Sequence, residues 1–185
     1  VNQAYEFHGF KTLKVESEKL KEFDSIACVD IKALVMQSEA LVSIVVPAYN
    51  AALTIETAVK SLLNQSWGNV EVIVINDCST DDTLPVVKQM AQVDKRIRVL
   101  SMTENSGAYA CRNYGISIAK GDFITVQDAD DWAHCQKVEE QLKPLLRNKS
   151  YVGSISSWVR ASENLEFGSW QTPSGWNGYI HRNIS

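Results

Sequence analysis

Apolar, β-branched runs alternate along this chain with segments in which apolar residues recur at helical spacing. A strand buried on both faces reads as a nearly continuous apolar run, and four such runs are present. The predicted strands cover residues 41–47, 70–75, 96–100 and 122–127. The predicted helices cover residues 53–65, 80–90, 108–119 and 134–146. Strands that alternate with helices imply right-handed crossovers, so we predict an α/β fold with a mostly parallel, Rossmann-like sheet and helices on both faces.

The segment before the first predicted strand has a different texture. It is dense in charge at residues 11–24 and weakly amphipathic at residues 31–41. It carries no recognisable motif. We therefore interpret residues 1–40 as a helical connector or cap, and residues 41–185 as the main domain.

The last part of the chain is less regular. Residues 151–161 are compatible with another strand, whereas the Gly, Trp and Pro content of residues 168–178 predicts a loop. Residues 181–185 show neither a helix end nor a closing strand. We therefore expect a domain that is incomplete at its C-terminus.

Composition narrows the class of protein. The 185 residues are 45% hydrophobic and carry a formal net charge of −4, which does not suit a nucleic-acid-binding surface. The longest apolar run is too short to cross a bilayer, and no export signal opens the chain, so we expect a cytoplasmic protein. No cysteine pair has CxxC or zinc-site spacing, and reduced thiols are expected. The four cysteines are Cys28, Cys78, Cys111 and Cys135.

The candidate chemistry follows the predicted strands. Ligands of open α/β sheets bind outside the carboxyl ends of the strands, where loops from different strands meet. Here those ends carry Tyr49 and Asn50, then Asp77, then the acidic run 128–131. We expect a planar ring, one carboxylate and a carboxylate cluster to share this edge of the sheet.

Asp128 and Asp130 are the most informative pair. Alternate carboxylates beyond a buried strand repel each other unless a cation lies between them. All-oxygen ligands favour Mg²⁺ or Mn²⁺, which commonly takes further oxygens from a phosphate ligand. The alternative is a charge cluster that favours the dipole of the next helix, a role that suits Asp131.

The other candidates each have two interpretations. Asp77 either accepts a hydrogen bond from a base or ribose, or caps the helix expected to begin at Ser79. Tyr49 either stacks on a base or is a half-buried loop aromatic. Arg112 either meets phosphate or pairs with an aspartate. Neither GxxxxGK[ST] nor a GxGxxG after a strand is present, so a P-loop enzyme and a standard dinucleotide binder are excluded.

Taken together, six segments resemble family 2 glycosyltransferases of the GT-A fold, and the resemblance covers residues 41 to about 135. They are VVPAYN (45–50), VINDCSTD (74–81), NSG (105–107), ACRN (110–113), GDFI (121–124) and DADD (128–131). The resemblance implies an inverting transferase that takes a nucleotide-diphosphate sugar, commonly a UDP-sugar, with Mn²⁺ or Mg²⁺. The acceptor would be a saccharide or another hydroxyl compound, as in bacterial polysaccharide biosynthesis, and the parent protein would associate with the cytoplasmic face of a membrane.

The same resemblance assigns roles by position. Pro47, Tyr49 and Asp77 would line the base and ribose pocket. Asp128 would contact the ribose or sugar side, and Asp130 would ligate the metal together with it. The further donor-binding positions are Asn50, Asn105, Gly107, Arg112 and Ala129. The family's catalytic base lies in an acidic pair further along, and none of the later glutamates matches it. These glutamates are Glu139, Glu140, Glu163 and Glu166.

The sequence also bears on three other functions. A haloacid-dehalogenase-type phosphatase would carry its DxD after the first strand, whereas here it follows the fourth. A nucleotidyltransferase would carry a first loop rich in Gly, Arg and Lys, but residues 47–52 contain no Gly or Lys. A binding module that holds a nucleotide sugar or glycan without turnover remains the alternative.

Overall fold

The structure is a computed structural model that describes residues 6–7, 9–15, 26–28, 39–161, 167–171 and 179–182. Within these residues four helices of a turn or more alternate with strands. The helices are α1 (Ile55–Leu63), α2 (Thr83–Val93), α3 (Ala108–Ser117) and α4 (Lys137–Arg147). The first six strands are β1 (Leu13–Val15), β2 (Ile26–Cys28), β3 (Val42–Ala48), β4 (Val70–Asn76), β5 (Ile97–Ser101) and β6 (Phe123–Val126). The last four are β7 (Gly153–Ile155), β8 (Trp158–Ala161), β9 (Phe167–Gln171) and β10 (Tyr179–Arg182).

The central sheet has six strands in the order β5-β4-β3-β6-β10-β7. Strands β5, β4, β3 and β6 are parallel, and β10 runs antiparallel to both of its neighbours. The four predicted strands are therefore confirmed, and so is the mostly parallel sheet. All seven residues of β3 and of β4 are buried, which explains their unbroken apolar sequences.

Helices cover both faces of this sheet, as expected. One face of β3 and β4 packs against α1, α2 and α4 through a core that includes Ile44, Val59 and Leu142. The other face packs against α3, where Val45, Ile73 and Cys111 meet. None of the helices in the described residues is both long enough and apolar enough to cross a bilayer.

The C-terminal part differs from the expectation in two places. Residues 179–182, where no closing strand was expected, form β10 and pair with both β6 and β7. Four residues are too few to show a hydrophobic periodicity, and among the described side chains of β10 only Ile180 is fully buried. The loop expected at 168–178 is also partly wrong, since its first residues belong to β9, which pairs with β8. Residues 172–178 lie outside the described part.

The N-terminal segment contains two short strands rather than only helix. Strands β1 and β2 pair antiparallel, with Leu13 opposite Cys28. The helix expected at residues 31–41 falls mostly outside the described residues. Cys28 forms a disulfide with Cys135, and their Cα atoms are 6.2 Å apart. The expectation of four reduced thiols is therefore wrong for this pair, whereas Cys78 and Cys111 are free.

Helix α2 begins later than expected. Its N-cap is Asp82, and Ser79 instead accepts a hydrogen bond from the backbone N–H of Asn50 at 3.1 Å. The Asp81 carboxylate accepts both the N–H and the hydroxyl of Thr83, and it thereby holds the first turn at that residue. The expected helix start at Ser79 is therefore wrong, because the Ser79 side chain joins two loops instead.

Candidate functional site at the carboxyl edge of the sheet

Three loops meet where the parallel strands end. In the register of β3 and β4, Ala48 lies opposite Asn76, so Tyr49 and Asp77 leave the sheet side by side. The backbone N–H of Asp77 donates to the carbonyl of Ala48 at 2.8 Å. On the other side of β3, the N–H of Gln127 donates to the carbonyl of Val45 at 3.0 Å. The structure thus brings the ring, the single carboxylate and the acidic run to one edge.

Asn50 joins the first two loops. Its φ of 49° is in the left-handed region, which asparagine tolerates better than most residues. Its side-chain oxygen accepts the N–H of Thr80 at 2.9 Å. Tyr49, one residue earlier, is 52% exposed and presents a ring to solvent at this edge. Pro47 is buried inside β3.

Asp77 holds the loop that begins α3. Its carboxylate is buried, and its two oxygens accept the N–H groups of Ser106 and Gly107, each at 2.8 Å. Gly107 has a φ of 84°, which favours glycine, and it stands at the N-cap of α3. Neither α2 nor α3 has a side-chain cap, so Asp77 does not cap the helix after Ser79 and instead fixes the loop that leads into α3. Burial, followed by the nearby Asp77 charge, raises the pKa of Cys111 to about 12 and keeps that thiol neutral.

Arg112 of α3 reaches Asp128. Its Nη2 lies 2.6 Å from Oδ1 of Asp128, and its guanidinium carbon lies 5.2 Å from the centre of the Tyr109 ring. The ion-pair interpretation of Arg112 therefore describes the structure. The Arg112 side chain is only 14% exposed, and its buried Nε–H has no partner among the described residues. One donor of the guanidinium thus remains unused.

The acidic run itself forms a tight turn. The N–H of Asp131 donates to the carbonyl of Asp128 at 3.2 Å. Ala129 is buried inside the turn, Asp128 is half-buried, and Asp130 is exposed. Because Ala129 turns inward, the flanking carboxylates are left on the accessible side.

The donor set of this turn fits a hard cation. The candidate ligands are the carboxylates of Asp130 and of Asp128, whose Oδ1 accepts from Arg112. Within the described residues, no third His, Cys, Asp or Glu joins them in a close cluster. A cation held here would complete its shell with water or with oxygens of a bound phosphate, as Mg²⁺ and Mn²⁺ commonly do.

Lys137 adds a positive charge that the sequence analysis missed. Its Nζ lies 2.8 Å from Oε1 of the buried Gln127. Burial lowers the pKa of Lys137 to about 8, although the charges of Asp131 and Asp128 oppose the shift. Lys137 is the first residue of α4, where a cation is unfavourable to the helix dipole. A lysine at this unfavourable position was the feature of the sequence that could have indicated a role for Lys137 outside the helix.

The comparisons with known proteins agree with this architecture. The family model described as "Glycosyl transferase family 2" matches residues 43–183. The chain belongs to glycosyl transferase family 2.

Individual relatives of this family 2 chain are bacterial. It is 42% identical over 139 residues to the putative teichuronic acid biosynthesis glycosyltransferase TuaG of Bacillus subtilis. The aligned region covers 69% of this chain and 55% of TuaG. It is 40% identical over 108 residues to an uncharacterized glycosyltransferase of Haemophilus influenzae, with 58% of this chain and 43% of that protein covered. The chain thus spans about half the length of the relatives it matches.

Solved structures share the fold. S. aureus TarS 1-349 in complex with UDP-GlcNAc is 29% identical, with a TM-score of 0.54 over 58% of this chain and 32% of the TarS chain. The GT-A fold expected from the sequence is therefore confirmed.

The remaining predicted residues have definite places in this family 2 fold. Asn105 is exposed in the loop between β5 and α3, two residues before Gly107. Glu139 and Glu140 both form ion pairs with Lys143, at 2.8 Å and 2.5 Å. Glu163 and Glu166 lie outside the described residues. The described part therefore presents no unpaired glutamate after Asp131 as a catalytic base.

Proposed function

We propose that this chain is the donor-binding part of an inverting glycosyltransferase that moves a sugar from a UDP-sugar to a hydroxyl acceptor, assisted by Mn²⁺ or Mg²⁺. The observation that carries the proposal is the turn at residues 128–131, with Asp130 exposed and Asp128 oriented by Arg112. The complex of TarS with UDP-GlcNAc supports the choice of donor. A cytoplasmic location belongs to the same proposal.

The chain's own residues would share the work at this edge. Tyr49 offers an exposed ring on which a base can stack. Asp77 keeps Ser106 and Gly107 in place at the start of α3, beside the donor. The pocket would also include Pro47, Asn50, Asn105, Gly107 and Ala129.

The diphosphate would lie over the acidic turn. Asp130 and Asp128 would ligate the cation, which when bound offsets negative charge on the departing diphosphate. Arg112 holds Asp128 in position and has one unpaired N–H. The ammonium of Lys137 adds positive charge on the same side.

The second candidate is a module that binds a nucleotide sugar without turnover. Its support is the pairing of Glu139 and Glu140 with Lys143, which leaves neither carboxylate ready to deprotonate an acceptor. Transfer of sugar to any acceptor by the full-length protein would exclude this candidate. Donor binding without hydrolysis or transfer would favour it.

Titration of UDP with and without Mn²⁺ tests the proposal. We expect Mn²⁺ to tighten UDP binding at least tenfold in the parent chain and to have no such effect in Asp130→Ala, because the metal bridges that carboxylate and the diphosphate. Glu39→Ala is the matched control, since Glu39 is exposed just before β3, at the opposite edge of the sheet. Equal affinities with and without metal in the parent would reject the metal-bridged donor site.

A further inference from the structure

A second cluster of metal-ligating side chains lies away from the acidic turn. It comprises Cys28 at the end of β2 and His134 and Cys135 in the segment before α4. One potential ligand atom from each residue lies within 4.8 Å of the other two. Both cysteines are buried and His134 is half-buried, so the three groups converge below the surface.

The surroundings of the cluster suit a thiolate and a neutral imidazole. The backbone N–H of Cys135 donates to Sγ of Cys28 at 3.3 Å, a contact that stabilises negative charge on sulfur. Nε2 of His134 lies 2.9 Å from the carbonyl oxygen of Lys11. A carbonyl only accepts, so Nε2 carries the proton and Nδ1 keeps its lone pair. Metal-bound histidines are commonly oriented in this way by a carbonyl on the other ring nitrogen.

We propose that Cys28, Cys135 and His134 form a binding site for Zn²⁺ when the Cys28–Cys135 disulfide is reduced. Two sulfurs and one imidazole nitrogen are a donor set that selects Zn²⁺ over Mg²⁺ or Mn²⁺. A water molecule takes the fourth tetrahedral position. A disulfide needs no imidazole beside it. A zinc site needs the imidazole as a third ligand, with its lone pair directed at the metal.

A dithiol reductant gives two electrons and two protons to the S–S bond, which becomes two thiols while the reductant becomes a disulfide. Zn²⁺ then displaces both thiol protons to solvent and binds the two thiolates and Nδ1 of His134. The Gln136 N–H, now 3.2 Å from Nδ1, gives way to the metal.

Either state ties the N-terminal segment to the main domain at the same point. Lys11 contributes both its carbonyl to His134 and its N–H to the Gln136 side chain, the latter at 2.7 Å. His134 follows Asp130 by only four residues in the chain. The zinc site would therefore anchor the segment that runs from the acidic turn to α4.

The experiment measures zinc bound to the full chain after reduction with a phosphine, incubation with Zn²⁺ and desalting. We expect about one zinc per chain in the parent and less than about a tenth of that in Cys28→Ser and in Cys135→Ser. In His134→Ala, zinc affinity should fall by more than about tenfold, because loss of a direct ligand should cost at least as much as the ~10–100-fold that loss of a ligand's hydrogen-bond partner costs. With Co²⁺ in place of Zn²⁺, the parent should show thiolate-to-cobalt charge-transfer absorption.

Two control variants separate this site from other zinc binding. Cys78→Ser removes a free cysteine outside the cluster and should retain full zinc. The Asp128→Ala/Asp130→Ala double variant removes two carboxylates of the acidic turn and should also retain full zinc. Circular dichroism checks that each variant is folded, and zinc should raise the melting temperature of the reduced parent but not of Cys135→Ser. A reduced, folded parent without stoichiometric zinc, or equal zinc in the Cys28→Ser/Cys135→Ser variant, would overturn the proposal.

Discussion

Arg112 acts on the candidate site through a neighbouring carboxylate. Its Nη2 lies 2.6 Å from Asp128, while Tyr109 on the same helix lies against its guanidinium group. Lysine keeps the charge but lacks the planar fork that makes both contacts. The arginine therefore fixes the direction of Asp128, rather than only supplying a positive charge.

We predict that Arg112→Lys weakens Mn²⁺-dependent UDP binding by about tenfold, since a charge-assisted hydrogen bond contributes about 1.5–3 kcal/mol. Isothermal titration calorimetry measures the effect. Arg147→Lys, an exposed change at the end of α4, is the control and should bind like the parent. If Arg112→Lys binds UDP with the same Mn²⁺-dependent affinity as the parent, Arg112 does not position Asp128 for the metal.

Asp77 is a buried carboxylate whose two oxygens are both occupied by backbone donors. Asparagine has the same shape but replaces one acceptor with an N–H₂ group, which would face the N–H of Ser106 or Gly107. We predict that Asp77→Asn lowers the free energy of unfolding by about 1–3 kcal/mol, the cost of a buried unpaired donor. Urea unfolding measures it. If stability is unchanged and only UDP affinity falls, Asp77 serves the ligand rather than the loop.

At the scale of elements, helix α3 approaches the sheet through Gly115. A Cβ at this position would lie 2.3 Å from Cγ1 of Val45, in the middle of β3. The close contact sets the depth of α3 against the sheet. The same helix begins at the Gly107 loop and carries Arg112, so its position also sets the geometry of the candidate site.

We predict that Gly115→Ala destabilises the chain, because over-packing costs about 1–3 kcal/mol and outweighs a helix-propensity gain of about 1 kcal/mol. Thermal or urea unfolding measures the change. Adding Val45→Ala removes the clash, so the double variant should lose less stability than the two single changes add up to. Additive losses would show that the contact relaxes without strain.

The elements that the sequence predicted well are those whose own residues carry the signal. β3 and β4 are buried on both faces and read as unbroken apolar runs, while Gly107 marked the start of α3. β10 was missed because four residues between other strands show no periodicity, and its place depends on pairing with β6 and β7. Local patterns determined the parallel strands of the sheet, whereas long-range pairing determined the antiparallel strand β10.

The candidate site divides in the same way. Its acidic turn lies in one short segment, so its position after β6 followed from the sequence. The contact between Arg112 and Asp128 was left as one of two alternatives, because spacing along the chain does not fix a side-chain direction. Cys28 and Cys135 are 107 residues apart, and nothing in either segment indicates that they meet.

A buried polar network joins three strands at the end of the sheet opposite the candidate site. Glu71 of β4 accepts the hydroxyl of Ser43 at 2.6 Å and the N–H of Lys120 at 2.7 Å, and it pairs with Arg98 at 2.9 Å. The network joins β3, β4 and β5 to the segment between α3 and β6. Burial raises the pKa of Glu71, but the hydrogen bonds and the Arg98 charge outweigh it, so the net pKa lies below its usual 4.5.

A lowered pKa means that the folded chain binds the Glu71 proton less readily than the unfolded chain does. The stabilisation is therefore complete above about pH 4.5 and is lost as the pH falls through the lower folded value. We predict that Glu71→Gln costs about 2 kcal/mol at pH 7, as for a broken charged hydrogen bond, and that the difference from the parent narrows towards pH 3. Urea unfolding across this range measures it. Glu56→Gln, an exposed partner of Lys60, should change stability by less than about 1 kcal/mol at any pH. A constant difference between Glu71→Gln and the parent down to pH 3 would mean that lost packing, rather than the carboxylate charge, causes the destabilisation.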